Sequence, residues 1–385
     1  MTATLLPADI GDETNARILA ISEDRIAGFL EDPFAEIARL SGVSEEVVHS
    51  RIRAMLSAGT IRRVRQTLMA TNLAPGALVA WKVPEDTLDS AFEYFVHDDP
   101  FSGHVVIRST DSATPGSSYR LWTTLKVPQG YSREKHCAVL AKRVGASAFC
   151  VMPARRLFAL GVGHVRRKGM TPGSRSDEPG RVMDTNIVAL SELEWRVLEP
   201  LKRELAIEEI GPEPWRARAA EAGVSYEEFL QIGRGLAERG VIGRFSTFLE
   251  HVKPGADGVR VTRYNALFHW RVPVGREIEA GKEVGRHHIL THAYWREGGE
   301  EFANVNIMAV AHGTDKQLVL DHKAAIDTHL MEARIPVSYT NVFWGGRSEI
   351  KPSEIAPGAY VAWCRSIGVD PASMRASVYE KPGAA

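Results

Sequence analysis

Cysteine is scarce in this chain of 385 residues: Cys137, Cys150 and Cys364 form no C-x-x-C pair and no metal-ligand spacing. That excludes a disulfide framework and a cysteine-based metal centre, and the three read as reduced, structural thiols. No apolar run approaches the length of a membrane span, and Met1–Pro7 lacks a basic stretch followed by an apolar one. Neither a membrane anchor nor a signal peptide is read, and a cytoplasmic protein is expected. Excess charge is missing as well, with 47 Lys+Arg against 48 Asp+Glu. Nucleic-acid affinity comes largely from counter-ion release by surplus positive charge, so this balance weighs against DNA as the main partner. There is no P-loop, no G-x-G-x-x-G after a strand and no H-E-x-x-H. What is present is an ordinary composition, 44% hydrophobic and 25% charged, in a chain long enough for several domains.

The chain repeats itself. Leu40-Ser-Gly-Val-Ser-Glu-Glu-Val-Val recurs as Glu221-Ala-Gly-Val-Ser-Tyr-Glu-Glu-Phe, and Ala58-Gly-Thr-Ile-Arg-Arg recurs as Arg239-Gly-Val-Ile-Gly-Arg at the same separation. Ala77-Leu-Val-Ala-Trp-Lys-Val-Pro84 recurs as Ala266-Leu-Phe-His-Trp-Arg-Val-Pro273, after an insertion assigned to the loop Lys253–Arg263. In the first copy apolar residues fall at helical spacing through Ile18–Leu30, Phe34–Leu40 and Val47–Leu56. Gly42 ends one helix, Ser44 caps the next and Gly59 closes it, which is a helix-turn-helix pattern. Strand and helix signals then alternate as Ala77–Val83, Glu85–His97, Gly103–Ser109, Tyr119–Val127, Ser132–Val144 and Ala148–Leu160. This βαββαβ order predicts an antiparallel sheet with both helices on one face. In the second copy strands are expected at Thr291–Glu297, Asn304–His312 and Val337–Trp344, with a helix at Asp315–Ala333.

Two strands carry the chemistry. Gly103–Arg108 and Thr291–Arg296 both read His-x-x-x-Arg, and alternate strand residues share a face. His104, Val106 and Arg108 therefore line one side, with Val105 and Ile107 behind; His292, Tyr294 and Arg296 line the other copy, with Ala293 and Trp295 behind. Such a face can bind anions and handle protons, although a solvated outer face has the same pattern. Trp81 and Trp270 occupy equivalent strand positions and are expected in the core, with His269 on the opposite face as a candidate pocket residue. His287, His288, His322 and His329 read as ordinary helix or loop residues.

A helix-turn-helix followed by a βαββαβ domain resembles the leucine-responsive (Lrp/AsnC) regulators. The duplicated chain with these motifs more closely resembles the siroheme decarboxylases, enzymes on the same plan built from two homologous, sometimes fused, subunits. The resemblance rests on Ile61-Arg62-Arg63 and Ile242-Gly243-Arg244, on Gly103-His104 and Thr291–Arg296, and on the strand from Asn306 to His312-Gly313. The chain departs from the family pattern at Gly243, at Val105-Val106 in place of a Cys-Tyr element, and at Pro128-Gln129-Gly130 in place of His-Gly.

The resemblance implies an α+β fold of two tandem repeats, each a winged helix-turn-helix plus a ferredoxin-like βαββαβ domain. The expected divisions are helix-turn-helix domains at 12–65 and 187–250, ferredoxin-like domains at 76–162 and 264–348, a linker at 163–186 and a tail at 349–385. The implied reaction removes carboxyl groups from acetate side chains of siroheme or a related iron tetrapyrrole, in heme or heme d1 biosynthesis, with no cofactor required. Loss of CO2 leaves a carbanion-like centre needing an acid, so His104, His292 and Tyr294 form the catalytic set. The other carboxylates need fixed cations, for which Arg62, Arg63, Arg65, Arg108, Arg244 and Arg296 are candidates, with His269 and Asn306 as further substrate contacts. No metal is held by the protein alone; His104 or His292 is a candidate axial ligand to the substrate's iron. The partners expected are a tetrapyrrole and no membrane, with a pseudo-dimer inside one chain and homodimerisation left open. The competing reading is an Lrp/AsnC-type regulator that senses heme or another small ligand and binds DNA; a third is a non-catalytic tetrapyrrole carrier.

Overall fold

A computed structural model describes residues 6–160, 170–183, 187–249 and 264–377. Arg166, Arg167 and Lys168 of the expected linker, and all of the expected insertion Lys253–Arg263, lie outside the described residues. In chain order the first half contains α1 (Glu13–Ser22), β1 (Ile26–Ala27), α2 (Pro33–Ser41), α3 (Glu45–Ala58), β2 (Ile61–Leu68), β3 (Gly76–Lys82), α4 (Leu88–His97), β4 (Ser102–Ser109), β5 (Leu121–Lys126), α5 (Arg133–Val144), β6 (Ala148–Pro153) and β7 (Arg156–Leu160). The second contains α6 (Glu192–Leu201), α7 (Arg216–Ala222), α8 (Tyr226–Glu238), β8 (Ile242–Leu249), β9 (Tyr264–Arg271), α9 (Glu277–Gly285), β10 (Leu290–Trp295), β11 (Ile307–Gly313), α10 (Lys316–Glu332), β12 (Tyr339–Ile350) and α11 (Pro357–Ser366). Among the described residues no helix is long and apolar enough to cross a membrane.

The halves are interleaved in two compact units, so the helical stretches expected as separate domains share one of them. The first unit takes the chain up to Leu73 and again from Val188. Asp32 caps α2 by accepting from the Phe34 and Ala35 amides, and Gly42 ends it at φ 66°. Ser44 stands at the N-cap of α3 with extended backbone but makes no capping bond, whereas its counterpart Ser225 accepts from the Glu228 amide. The helix expected through Ile18–Leu30 stops at Ser22, because Ile26–Ala27 pairs with β8 as an edge strand. β8 also pairs with β2, giving an antiparallel sheet of order β1-β8-β2. Phe34, Phe245 and Trp215 are fully buried beneath it, with the Trp215 indole donating to the Leu30 carbonyl.

The second unit is one nine-stranded sheet of order β6-β3-β5-β4-β12-β9-β11-β10-β7, antiparallel at every described pairing. Two quartets, β6-β3-β5-β4 and β12-β9-β11-β10, meet where β12 pairs with β4. That junction needs β12 to run on to Ile350, six residues beyond the expected Trp344, through a register shift after Gly345. The strand expected as Ala148–Leu160 is broken after Pro153. Its first piece pairs with β3 and its second with β10, so the two edge strands are consecutive in sequence and the sheet curls.

Helices cover the outer face. Phe92 and Phe95 of α4, Cys137 and Leu140 of α5, and Tyr360 and Trp363 of α11 pack on Val79, Trp81, Val105, Leu121 and Leu125. The C-terminal tail is therefore part of the first quartet's core. On the second quartet, α9 and α10 bury Ala280, Val284, Ile326 and Leu330 against Phe268, Trp270 and Ala293. Burying this much apolar surface is the main stabilising term, since each large side chain contributes about 1.5–3 kcal/mol. Trp81 and Trp270 are both core residues; the Trp81 indole donates to Thr123 Oγ1 and the Trp270 indole to Asp327 Oδ1. The described part of the expected linker is not a free spacer: the Ser176 amide bonds to the Arg286 carbonyl, the Gly180 amide to Lys282 and the His288 amide to Ser174.

Candidate functional site

Residues opposite one another on neighbouring strands share a face, which fixes what points inward. His104 lies opposite Thr124 and Thr124 opposite Leu78, while Val106 lies opposite Trp122 and Trp122 opposite Ala80. In the second quartet His292, Val310, Leu267 and Phe343 form one such row, and Tyr294, Met308, His269 and Asn341 the next. Ala80, Val106, Trp122, Met152, Leu267, Met308 and Phe343 make a cluster of their own on this inner face. The His/Arg face of β4 is thus interior, not a solvated surface.

The side chains there are short of partners. Arg108 is 4% exposed; its guanidinium donates to the Phe343 carbonyl at 3.3 Å and to Asn265 Oδ1 at 3.4 Å, and its Nε has no partner. Arg296 is 8% exposed and donates to the Met152 carbonyl, with its guanidinium 4.4 Å from the Tyr294 ring centroid. Among the described residues neither arginine forms an ion pair. The rings of His292 and Tyr294 are parallel within 5° at 6.0 Å between centroids, and His292 Nδ1 lies 3.0 Å from Thr291 Oγ1. His104 Nε2 and His269 Nε2 are buried with no hydrogen-bond partner.

The electrostatics follow from burial. Desolvation pushes the His104 imidazole down to about 4, with Arg108 and His292 adding to the effect. His269 falls to about 3, again by desolvation first and then by Arg108 and Lys323. Burial lowers Arg108 to about 10 and raises Tyr294. The interior therefore holds neutral imidazoles beside two buried guanidiniums that lack counter-charges. Uncompensated buried charge is costly, and its natural complement is an anion.

Arg62, Arg63, Arg65 and Arg244 belong to the first unit. Arg62 is exposed, Arg63 pairs with Glu204 at 3.2 Å, Arg65 lies 5.2 Å from the Phe248 ring centroid, and Arg244 Nε donates to Ser246 Oγ. Asn306 is buried with its amide committed to both backbone groups of Val272 and to Glu277 Oε1, which makes it a strut of the turn leading into α9. His287 and His329 are buried and hydrogen-bonded to each other, and His329 pairs with Glu283, so they hold structure together. Asn265 went unread in the sequence; it stands one residue before the repeated strand Ala266–Pro273 and holds Arg108. Register also corrects the alignment of the two halves. Asn265 lies opposite His312, and Gly76 opposite Lys126, so Lys126 occupies the place of His312 rather than Pro128–Gly130.

The curled antiparallel sheet is AsnC-like: residues 74–159 match the family described as AsnC-like ligand binding domain. The chain is 26% identical over 310 residues to the siroheme decarboxylase of Hydrogenobacter thermophilus, covering 80% of this chain and 85% of that one. It is 32% identical over 133 residues to the siroheme decarboxylase alpha subunit of Desulfovibrio desulfuricans, covering 34% of this chain and 70% of the subunit. The fold is shared with the siroheme decarboxylase NirDL, solved in complex with an iron-uroporphyrin III analogue, at a TM-score of 0.67 and 20% identity over 92% of this chain and 98% of that one. The chain belongs to the siroheme decarboxylase family.

Proposed function

We propose that this protein is a lyase that removes carboxyl groups from acetate side chains of siroheme or a closely similar iron tetrapyrrole, with no further cofactor. The observation that carries the reading is the pair of buried guanidiniums, Arg108 and Arg296, without carboxylate partners among the described residues. A macrocycle ringed by carboxylates supplies the missing anions, and the forked guanidinium binds carboxylate well. The aromatic and aliphatic neighbours, Trp122, Phe343, Leu267 and Met308, suit a flat apolar ring.

In the reaction the bond between the acetate methylene and its carboxyl carbon breaks. CO2 leaves, the electron pair stays on the methylene carbon, and a proton converts it to a methyl group. His104 and His292 are the candidate donors, with Tyr294 beside His292. Burial pushes the His104 imidazole down to about 4; a polyanion beside it raises its proton affinity, because nearby negative charge favours imidazolium. The histidine not acting as acid is the candidate axial ligand to the substrate's iron.

We read the architecture as two tandem units, each a winged helix-turn-helix and a ferredoxin-like βαββαβ domain. The identical strand arrangement of the two quartets supports this. The regulator reading is disfavoured by α3, whose first turn carries Glu45 and Glu46. Its arginines are also occupied within the protein, Arg51 with Asp12 and the Pro7 carbonyl, Arg53 with the Ile210 carbonyl. The test is anaerobic incubation with siroheme and mass spectrometry of the product. Successive loss of CO2 is expected, and siroheme recovered intact would rule the reading out.

A further inference from the structure

The two interior arginines are equivalent by register yet end in different surroundings. Arg108 reaches the Phe343 carbonyl, and Phe343 lies opposite Leu267; Arg296 reaches the Met152 carbonyl, and Met152 lies opposite Leu78 at the matching place of the other quartet. Beyond that the correspondence fails. Asn265 Oδ1 accepts from the Arg108 guanidinium, but the position equivalent to Asn265 is Gly76, which has no side chain to offer Arg296. A Cβ built on Gly76 meets nothing within 4 Å, so open space stands where the other quartet has an amide.

Opposite Gly76 is Lys126. It alternates with Trp122 and Thr124, so it continues the interior face one step past Thr124, the residue opposite His104. Its ammonium makes no hydrogen bond or ion pair among the described residues, and burial lowers its proton affinity. Arg133, in the first turn of α5, is close enough for its charge to be felt at Arg296. The charge of Arg133 thus reaches Arg296, the ladder sets Lys126 beside Gly76, and among the described residues none of the three has a carboxylate partner. At the other end the arginine is already bonded to Asn265, and a histidine stands in place of the lysine.

We propose that Lys126 and Arg296 together hold one side-chain carboxylate of the tetrapyrrole, in the space left at Gly76. The macrocycle is then anchored at the Arg296 end, and the Asn265-filled end at Arg108 is not its equal. The binding end is composite: Arg296, His292 and Tyr294 come from the second half, Lys126 and Gly76 from the first. This inference rests on the tetrapyrrole reading above and adds to it a residue and a polarity.

The test titrates the full-length protein with iron uroporphyrin III, followed by visible absorption, for wild type, Lys126→Met and Lys126→Arg. Iron octaethylporphyrin, which carries no carboxylates, is the parallel probe. Loss of a charge-assisted bond to a carboxylate weakens uroporphyrin binding roughly 10- to 100-fold in Lys126→Met. Lys126→Arg keeps the charge and stays within about threefold of wild type. Octaethylporphyrin binding is unchanged in both. If wild type binds uroporphyrin and Lys126→Met binds it equally well, the inference is overturned while the tetrapyrrole reading stands. Equal weakening toward both porphyrins marks general damage to the interior and also overturns it. If wild type binds neither probe, the tetrapyrrole reading itself fails.

Discussion

Replacing His269 by Met should make the protein less sensitive to acid. His269 is 1% exposed, among Trp122, Phe302 and Phe343, with Nε2 unpartnered. Desolvation, with Arg108 and Lys323 behind it, lowers its pKa from the ordinary 6.5 to about 3. The unfolded chain takes up this proton near pH 6.5, and the folded protein only near pH 3. Between those values the unfolded state binds more protons, so stability present at pH 7 is lost as the pH falls. From pH 7 to pH 5 one such group removes about 2 kcal/mol of unfolding free energy. Met fills similar space without a titrating group. Urea unfolding followed by circular dichroism at pH 7 and pH 5 should therefore show a fall about 2 kcal/mol smaller in His269→Met than in wild type. The same fall in both proteins would refute the claim that this imidazole is held neutral.

Three further outcomes follow from the packing and charge. Trp363→Ala should destabilise the protein by about 3–5 kcal/mol in urea, because α11 closes the first quartet's core; a loss below about 1 kcal/mol would show the tail to be dispensable. Asp327→Ala removes the acceptor of the Trp270 indole and the partner of Lys323, and should cost about 1–3 kcal/mol in the same assay. Gel-shift measurements at low salt should show no specific DNA retention, since the α3 arginines are engaged inside the protein; a salt-sensitive, sequence-specific shift would favour a regulator.

Much of this was readable along the chain, because alternation and helical spacing are local properties. Alternation puts Val105 and His104 on opposite faces, and they pack outward and inward respectively. Helix α9 is not legible in the sequence because Gly281 and Gly285 are poor helix formers. Their reason is distant in sequence: a Cβ on Gly281 would run into the Phe158 ring, and one on Gly285 into the Phe158 backbone. The curl of the sheet was equally hidden, since it depends on β7 leaving β6 and finding β10. Ile18–Leu30 misled because β1 is only two residues long and its pairing partner comes from the other half. At the site, the His/Arg strands were legible from their repetition. Asn265 and Lys126 were not, because both sit at strand ends, where motif matching gives no register and only the ladder does. Family resemblance implies Asn306 as a substrate contact, whereas its amide is bonded to the backbone of Val272 and to Glu277 Oε1.

The central claim is that buried, unpaired guanidinium groups hold the tetrapyrrole while its acetates lose CO2. The most direct measurement is the rate of CO2 loss from siroheme under anaerobic conditions, by mass spectrometry, for wild type beside Arg296→Met. Wild type should release CO2 stepwise, and Arg296→Met should be slower by about 10- to 100-fold or more, as loss of a charge-assisted contact requires. A folded Arg296→Met protein that decarboxylates siroheme at the wild-type rate would contradict the account.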